Sequence, residues 1–317
     1  MVRNLERDSM LMVSNTAPPP TPLISVCVCT FRRPRQLEKL LQCLDKQVTN
    51  GLFNFSIVVA DNDASQSARC VVELLAKRLS VPIAYTIEPR QNIALARNAS
   101  VAIATGELVA FVDDDEEPSS DWLRRLYEVL LGYGVDGVVG PVVPRFEEDA
   151  PFWAVKGGVF RRPSFKTGEA IHWRAAGIGN ALVKREVLRE LDGPFRPQFG
   201  AGGEDQDVFR RAMSLGRVFV WSAEAVCHEP VPSERTKVPF QLRRALLRGK
   251  VALAGTGGSW CGIFKSAIAV PAYALALPVC LAMGPHVFIT QLVKSFDHLG
   301  KLLAACGVDV VGDRYIS

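Results

Sequence analysis

Three consecutive aspartates, Asp113, Asp114 and Asp115, follow a short apolar run, Leu108–Val112. Hard divalent cations such as Mg²⁺ and Mn²⁺ prefer oxygen ligands, and they often join one or two carboxylates to a substrate phosphate. The carboxylates of Asp113 and Asp115, two residues apart at the end of a predicted strand, suit this task. A solvated acidic turn is the alternative, because short acidic motifs are common. The position after a buried strand favours the metal–phosphate interpretation.

Three arginines, Arg32, Arg33 and Arg97, are candidate partners for such a phosphate. A planar guanidinium binds two phosphate oxygens at once, which suits arginine to this role. Arg32 and Arg33 come directly after the first apolar run, which ends at Thr30, and Arg97 lies in a segment rich in alanine. For each arginine taken singly, an ordinary surface position is the competing interpretation.

A second acidic pair, Glu204 and Asp205, follows the glycine-rich run 200–203. A carboxylate here could act as a general base that takes the proton from an incoming hydroxyl group. Helix capping is the alternative, since the helix dipole favours acidic residues in the first turn. The glycines favour the functional interpretation, because they let the backbone approach a substrate closely. His228, which ends an apolar segment, is a candidate metal ligand or a structural histidine.

Alternating strands and helices are predicted to position these groups. Apolar runs rich in β-branched residues indicate buried strands at 23–30, 55–60, 83–87 and 108–112. Helical patterns lie between them, and the clearest has its apolar residues at i, i+3, i+4 and i+7: Leu37, Leu40, Leu41 and Leu44. This order predicts an α/β fold with a mostly parallel, Rossmann-like sheet flanked by helices. Ligands of such sheets bind beyond the carboxyl ends of the strands, where Asp61 and Asp63 also fall.

The second half of the chain has a less regular pattern. A strand is predicted at 137–143, a glycine-rich turn at 177–180 followed by a short apolar strand, and a helix from Glu204 to Leu215. The first strand is followed neither by a phosphate-binding GxxxxGK[ST] loop nor by a GxGxxG fingerprint. These absences disfavour P-loop and dinucleotide-binding proteins.

Composition and charge exclude several classes of protein. Hydrophobic residues make up 48% of the 317 residues, which excludes a disordered chain. The net charge of +4 is too small to indicate nucleic acid as a partner. The eight cysteines form no CxxC pair, and the N-terminus has no apolar secretory stretch. Both features predict reduced thiols and a location on the cytoplasmic side.

The C-terminal region combines a basic segment with an uncharged one. Residues 229–265 hold seven lysines and arginines against two glutamates, and residues 266–293 contain no charged side chain. The uncharged stretch exceeds the ~20 residues of a membrane helix, but Pro271, Pro278 and Pro285 interrupt it. A single membrane anchor and an interfacial helical hairpin are both compatible with this pattern. The basic segment indicates attraction to an anionic cytoplasmic leaflet.

Five motifs in order resemble those of the inverting family 2 glycosyltransferases, which have the GT-A fold. They are VCVCTFRRP at 26–34, VVADND at 58–63, NIALARNAS at 92–100, FVDDDEEP at 111–118 and GGEDQDVFRR at 202–211. The resemblance covers roughly residues 23–230. HEPVPSER at 228–235 and LRRALLRG at 242–249 are similar to succinoglycan-type glucosyltransferases that extend lipid-linked oligosaccharides.

The resemblance implies a role for each matching residue. A UDP-sugar donor would be bound by Thr30, Arg32, Arg33, Asp61, Asp63, Arg97, Asp113 and Asp114, with Asp61 at the base. Asp115, with Asp113 and His228, would bind Mg²⁺ or Mn²⁺, and Asp205, with Glu204, would be the catalytic base. Arg243 and Arg244 would contact the acceptor or the diphosphate. Processive relatives carry QxxRW near this position, and Ala245 in place of the tryptophan argues against a processive polymerase.

The predicted organisation follows from these assignments. It comprises a disordered tail at 1–22, a nucleotide-sugar-binding half at 23–135, an acceptor and catalytic-base half at 136–230, and a helical membrane-associated region at 231–317. The predicted activity is transfer of a hexose, glucose by resemblance, to a hydroxyl of a lipid-linked saccharide at the inner membrane.

Two alternatives remain open. A sugar-nucleotide pyrophosphorylase is disfavoured because residues 30–34 contain no glycine. A non-catalytic membrane-attached sugar-binding module is disfavoured by the intact acidic motifs at 113–115 and 204–205.

Overall fold

The computed structural model describes residues 21–200, 202–255 and 260–308. Of the predicted tail at 1–22, only the last two residues fall within this part of the chain. The strands in chain order are β1 (Leu23–Thr30), β2 (Asn54–Asp61), β3 (Ile83–Ile87), β4 (Leu108–Val112), β5 (Glu117–Pro118), β6 (Gly137–Val139), β7 (Val142–Phe146), β8 (Asn180–Lys184), β9 (Phe219–Trp221) and β10 (Cys227–Val231).

Ten helices accompany these strands in the described part of the chain. They are α1 (Pro34–Asp45), α2 (Arg69–Ala76), α3 (Ile93–Ile103), α4 (Trp122–Tyr133), α5 (Phe152–Lys156), α6 (Arg185–Glu190), α7 (Glu204–Ser214), α8 (Val238–Gly255), α9 (Trp260–Met283) and α10 (Pro285–Ala305). Three short 3₁₀ turns lie at Trp173–Ala175, Pro197–Phe199 and Ser233–Thr236.

A seven-stranded sheet in the order β3-β2-β1-β4-β8-β6-β9 forms the centre of the molecule. The pairs among β1, β2, β3 and β4 are parallel, as predicted from the alternating pattern, and β8 runs antiparallel to both of its neighbours. Successive side chains of a strand point to opposite faces, so each strand contributes to two apolar cores. The core on one face is covered by α1, α2 and α4, and the other by α3, α6 and α7.

The strand predicted at 137–143 is two strands in two different sheets. β6 ends at Val139, and β7 begins at Val142 in a smaller sheet of order β5-β10-β7. Gly140 lies between them, packed so closely that a Cβ atom would meet the Asn180 side-chain amide at 2.7 Å. This packing and Pro141 separate the two strands, so an uninterrupted apolar run in the sequence corresponds to a change of sheet.

The C-terminal region forms three successive helices, α8, α9 and α10, and α10 packs against the other two. The uncharged stretch 266–293 is divided between α9 and α10 by a turn at Gly284, whose φ is +123°. Pro271 and Pro278 lie inside α9 without ending it. Within the described residues, one helix, α9, is long enough and apolar enough to cross a membrane.

Candidate active site

The carboxyl ends of β1 and β4 meet at one edge of the sheet, as predicted. Thr30, the last residue of β1, donates from Oγ1 to Asp114 Oδ2 at 2.7 Å, just beyond the end of β4. A cavity of about 280 Å³ opens at this edge. The cavity is lined by eight of the predicted site residues: Thr30, Arg33, Arg97, Asp113, Asp114, Asp115, Glu204 and Arg244.

The three aspartates have different surroundings. The Asp113 side chain is 46% exposed and accepts a hydrogen bond from Arg97 Nη2 at 3.2 Å. Asp114 is buried between Thr30 and Arg33, and burial raises the pKa of its carboxyl to about 6, although Arg33 opposes the shift. Asp115 Oδ2 accepts from Arg33 at 3.2 Å and from Arg235 at 3.0 Å. Asp114 therefore fixes the loop, while Asp113 and Asp115 carry the carboxylates available for chemistry.

Arg97 connects the two acidic motifs. It lies on α3, is buried, and donates from Nη1 to Glu204 and from Nη2 to Asp113. α3 begins where Asn92 Oδ1 accepts from Leu95 N at 3.1 Å, a side-chain cap that fixes the start of the helix. Arg97 lines the cavity, where its guanidinium is already engaged with these two carboxylates. Its predicted contact with a phosphate stays a prediction.

Glu204 and Asp205 differ in how their carboxylates are used. Two glycines with positive φ, Gly202 at +131° and Gly203 at +90°, lead into α7, which begins at Glu204. Glu204 is buried against Arg97, and burial raises the pKa of its carboxyl to about 6. Asp205, the predicted base, is half-buried and does not line the cavity, and it accepts a hydrogen bond from the backbone N–H of Gln206 at 2.7 Å. Its role as the base stays a prediction. Burial also raises the pKa of Asp205, while Arg97 opposes the shift.

The residues that follow β2 form a buried turn. Asp61 is fully buried and accepts from the backbone N–H of Asp63 and of Ala68 and from Tyr85 Oη. Asp63 is also buried and pairs with Arg32 at 3.3 Å. Neither aspartate nor Arg32 lines the active-site cavity, whereas Asn62 between the two aspartates does. A direct contact of Asp61 with the nucleotide base stays a prediction, and its observed contacts fold the turn that presents Asn62.

The cavity is also lined by three charged residues that were not predicted as site residues: Arg162, Glu229 and Arg235. Glu229, on β10, pairs with Arg162, and it accepts from Arg235 Nη1 at 2.7 Å. Glu229 and Arg235 belong to the HEPVPSER motif at 228–235, and this motif could have identified them as site residues. Arg162 lies in the long loop after α5, where no local pattern marks it.

Arg244 is the basic residue of α8 that reaches the cavity. No hydrogen bond or ion pair joins it to another described residue. Burial lowers the pKa of Arg244, and the neighbouring cations Arg235 and Arg248 lower it further. A cationic group in such surroundings favours an anionic ligand. Arg243, its neighbour in the sequence, is exposed and does not line the cavity.

His228, a predicted metal ligand, does not line the cavity. Its neighbour on β10, Glu229, does, and adjacent side chains of a strand point to opposite faces. The structure therefore brings Asp113 and Asp115 to the cavity but does not bring His228 there with them.

The donor atoms at the cavity fit a hard divalent cation. Asp113 and Asp115 supply carboxylate oxygens, and Asp115 Oδ1 has no hydrogen bond within the described part of the chain. In that same part, no group of three or more His, Cys, Asp and Glu side chains is arranged to hold a metal ion. A cation bound here would therefore complete its coordination with substrate phosphates and water, as Mg²⁺ often does.

Comparison with solved structures identifies the fold as GT-A. The mannosyltransferase PcManGT from Pyrobaculum calidifontis, in complex with GDP-Man and Mn²⁺, superposes with a TM-score of 0.62 at 20% identity, over 91% of this chain and 90% of that chain. TarS 1–349 from S. aureus, in complex with UDP, superposes with a TM-score of 0.51 at 16% identity, over 92% and 95% of the two chains.

Sequence comparison identifies the family. The family model described as Glycosyl transferase family 2 matches residues 25–192. The succinoglycan biosynthesis protein ExoM of Rhizobium meliloti is 36% identical over 230 residues, which are 72% of this chain and 73% of ExoM. Both findings confirm the resemblance predicted from the five motifs, and the chain belongs to glycosyltransferase family 2.

Proposed function

We propose that this protein is an inverting hexosyltransferase that moves glucose from UDP-glucose to a hydroxyl group of a lipid-linked saccharide during exopolysaccharide synthesis. The observation that carries the proposal is the Arg97 bridge, which holds Glu204 and Asp113 at one cavity. This bridge brings the predicted base motif next to the predicted donor-binding motif, the juxtaposition that glycosyl transfer requires.

The donor class is supported by charge and by similarity. Arg33, Arg235 and Arg244 line the cavity and offer a diphosphate several cationic donors. The solved relatives bind UDP in one case and GDP-Man in the other, and both ligands contain a nucleoside diphosphate. ExoM, the 36% identical relative, is a succinoglycan biosynthesis protein, which supports a glucose-containing exopolysaccharide as the product.

The chain's own residues supply the base and its orientation. Asp205 takes the proton of the acceptor hydroxyl, because Glu204 is engaged with Arg97, whereas the one partner of the Asp205 carboxylate among the described residues is a backbone N–H. The hydroxyl oxygen then bonds to the anomeric carbon as the bond to the diphosphate breaks, which inverts the configuration in a single displacement. Asp113 and Asp115 would hold Mg²⁺ or Mn²⁺, which when bound neutralises charge on the leaving diphosphate.

The acceptor side is supported by the C-terminal helices. α8 brings Arg244 to the cavity and continues into the region that contains the apolar helix α9. Residues 238–305 contain seven lysines and arginines against one aspartate, a balance that favours an anionic membrane surface. We therefore place the enzyme at the cytoplasmic face of the inner membrane, where a lipid-linked saccharide would present its hydroxyl group.

A donor panel tests the proposal. Full-length protein would be incubated with a lipid-linked saccharide extract, Mn²⁺ and each of UDP-glucose, UDP-galactose, UDP-N-acetylglucosamine and GDP-mannose. We expect transfer from UDP-glucose and, by NMR of the product, a β linkage from the α-configured donor. Pyrophosphate-dependent formation of UTP would indicate a pyrophosphorylase instead, and saccharide binding without transfer from any donor would indicate a non-catalytic module.

A further inference from the structure

α10 is fixed to the catalytic domain along its length. Near its start, Thr290 Oγ1 accepts from the backbone N–H of Gly158 at 3.0 Å, and the ring of His286 lies 5.5 Å from that of Phe152 on α5. In its second half, Asp297 accepts from Arg248 of α8 at 2.9 Å. Contacts with the α5 region near its start and with α8 in its second half mean that α10 lies along these elements and does not project from them.

α9 is folded back along α10. The two helices are joined by the single residue Gly284, and Ser266 Oγ, in the second turn of α9, lies 3.0 Å from His298 Nδ1 of α10. Tyr273 stacks near the same histidine, with ring centroids 5.8 Å apart. The 24 residues of α9 span about 36 Å, similar to the ~30 Å hydrocarbon core of a bilayer. Because α10 is fixed to the domain, however, both ends of α9 stay beside it.

The face of α9 that points away from α10 is apolar. Six large side chains at helical spacing are between 56% and 84% exposed: Trp260, Phe264, Ile268, Leu275, Val279 and Met283. Lys265 is the one charged residue of the helix. A continuous apolar face of this length is far larger than soluble proteins leave in contact with water, and the basic excess of residues 238–305 is complementary to anionic lipid.

We infer that α9 lies in the plane of the membrane, as an interfacial helix that inserts its outer face among anionic lipids and does not cross the bilayer. The inference rests on the membrane association proposed above. An in-plane α9 also fixes the distance between the active site and the membrane. α8 provides both Arg244, which lines the cavity, and Arg248, which pairs with Asp297 of α10. Helices packed in this way lie about 8–10 Å apart, so the cavity is held within roughly two helix layers of the lipid surface.

Depth measurements distinguish an in-plane helix from a spanning one. Spin labels would be placed at Phe264→Cys or Val279→Cys, in full-length protein whose exposed cysteines 70, 261 and 306 are serine, bound to phosphatidylcholine–phosphatidylglycerol vesicles. The two positions are separated by about 22 Å along the helix. An in-plane helix puts both labels at the same depth, within a few ångström, in power-saturation EPR. A depth difference near 20 Å would show that α9 spans and would overturn the inference.

A charge substitution tests whether lipid covers this face. Leu275→Glu should lower co-sedimentation with these vesicles at least about tenfold, whereas Leu131→Glu, at a 60% exposed leucine of α4, should not. Unchanged binding of Leu275→Glu, or a dimer in solution that this substitution dissociates, would mean that something other than lipid covers α9. The vesicles contain no donor or acceptor, so the result is independent of whether glucosyl transfer takes place.

Discussion

Arg235 Nη2 donates to Asp115 Oδ2 at 3.0 Å, although the two residues are 120 positions apart in the chain. Arg33 donates to the same oxygen at 3.2 Å. Two cationic groups therefore already neutralise the carboxylate that we expect to bind a metal ion. A cation and a diphosphate arriving together would exchange these partners, because the arginines can turn to the phosphate oxygens while Asp115 turns to the cation.

This exchange makes Arg235→Ala informative. Without one of its two arginines, Asp115 attracts a free cation more strongly, so we expect Mn²⁺ alone to bind several-fold more tightly. Turnover of UDP-sugar should fall, since the diphosphate loses a charge-assisted partner. Calorimetry with Mn²⁺ and a UDP-release assay measure the two effects. Arg189→Ala, at an exposed arginine of α6 outside the cavity, is the control. Weaker Mn²⁺ binding by Arg235→Ala would contradict the exchange.

Asp205→Asn separates the base from donor binding. The amide cannot accept the proton of the hydroxyl group, so transfer should fall by ~10²–10⁴-fold. The affinity for UDP with Mn²⁺ should stay within about twofold, because within the described residues no hydrogen bond joins Asp205 to the Asp113–Asp115 loop, and its carboxylate accepts from the backbone of Gln206 instead. Glu204→Gln in parallel tests the assignment of the two carboxylates. If Asp205→Asn retains normal turnover while Glu204→Gln loses it, then Glu204 is the base.

The pH dependence of the reaction should reflect the raised pKa of both carboxyl groups. Burial raises the pKa of Asp205, and it raises that of Glu204 to about 6. A general base has to be ionised, so kcat/KM should fall as the pH is lowered through the raised pKa of the base. We expect this acid limb at a higher pH than the ~4 of an ordinary carboxyl. A kcat/KM profile that stays flat down to pH 4 would exclude a base in this environment.

The part of the site that lies at the ends of β1 and β4 could be predicted from sequence, because its residues directly follow strands. A parallel sheet brings the ends of β1 and β4 together whatever the details of packing, so Thr30, Arg33 and Asp113 were predictable as neighbours. The same rule does not give the direction of the Asp61 side chain, which turns into the fold and accepts backbone hydrogen bonds from the loop after β2. A strand end gives a residue's position but not the direction of its side chain.

The rest of the site depends on contacts between distant segments. Arg162 reaches the cavity on a loop whose path no periodicity describes, and it does so by pairing with Glu229. The division of 137–143 into β6 and β7 depends on the packing of Gly140 against Asn180, which the apolar pattern does not contain. These features are tertiary, and a local sequence pattern has no information about them.

Arg97→Met tests the energetic role of the bridge between the acidic motifs. Glu204 is 5% exposed, and a buried carboxylate that loses its cation destabilises a protein by about 3–5 kcal/mol. Denaturant unfolding should show this loss. Arg69→Met breaks a surface pair with Glu73 and should change stability by less than about 1 kcal/mol. Adding Glu204→Gln to Arg97→Met should restore part of the stability but not the activity. If Arg97→Met and Arg69→Met lose equal stability, then the bridge does not stabilise the fold more than a surface ion pair does.

Asp114 should make a distinctive contribution to the pH dependence of stability. Its pKa is about 6 in the folded protein and near 3.9 when unfolded, so the folded state binds the proton more tightly. The contribution of this group to stability therefore increases as the pH falls from about 6 to about 4, by up to about 3 kcal/mol. The unfolding free energy of the wild type minus that of Asp114→Asn should rise over this range. A difference that falls instead would indicate a lowered pKa.

Gly179→Ala tests whether the position of Asp113 matters for donor binding. A Cβ atom at residue 179 would lie 2.6 Å from Asp113 Oδ2, closer than atoms can approach, so the carboxylate has to move away from its place beside Arg97. We expect the affinity for Mn²⁺ with UDP, measured by calorimetry, to fall at least about tenfold, which corresponds to ~1.4 kcal/mol.

Gly177 provides the matched control for this substitution. It lies in the same turn, but a Cβ atom there would meet nothing within 4 Å. Gly177→Ala should therefore bind Mn²⁺ and UDP like the wild type, and both alanine variants should unfold at similar denaturant concentrations, because the Asp113 side chain can turn toward solvent. If Gly179→Ala binds the donor normally while it remains folded, then the position of the Asp113 carboxylate is not needed for binding, and Asp115 is sufficient.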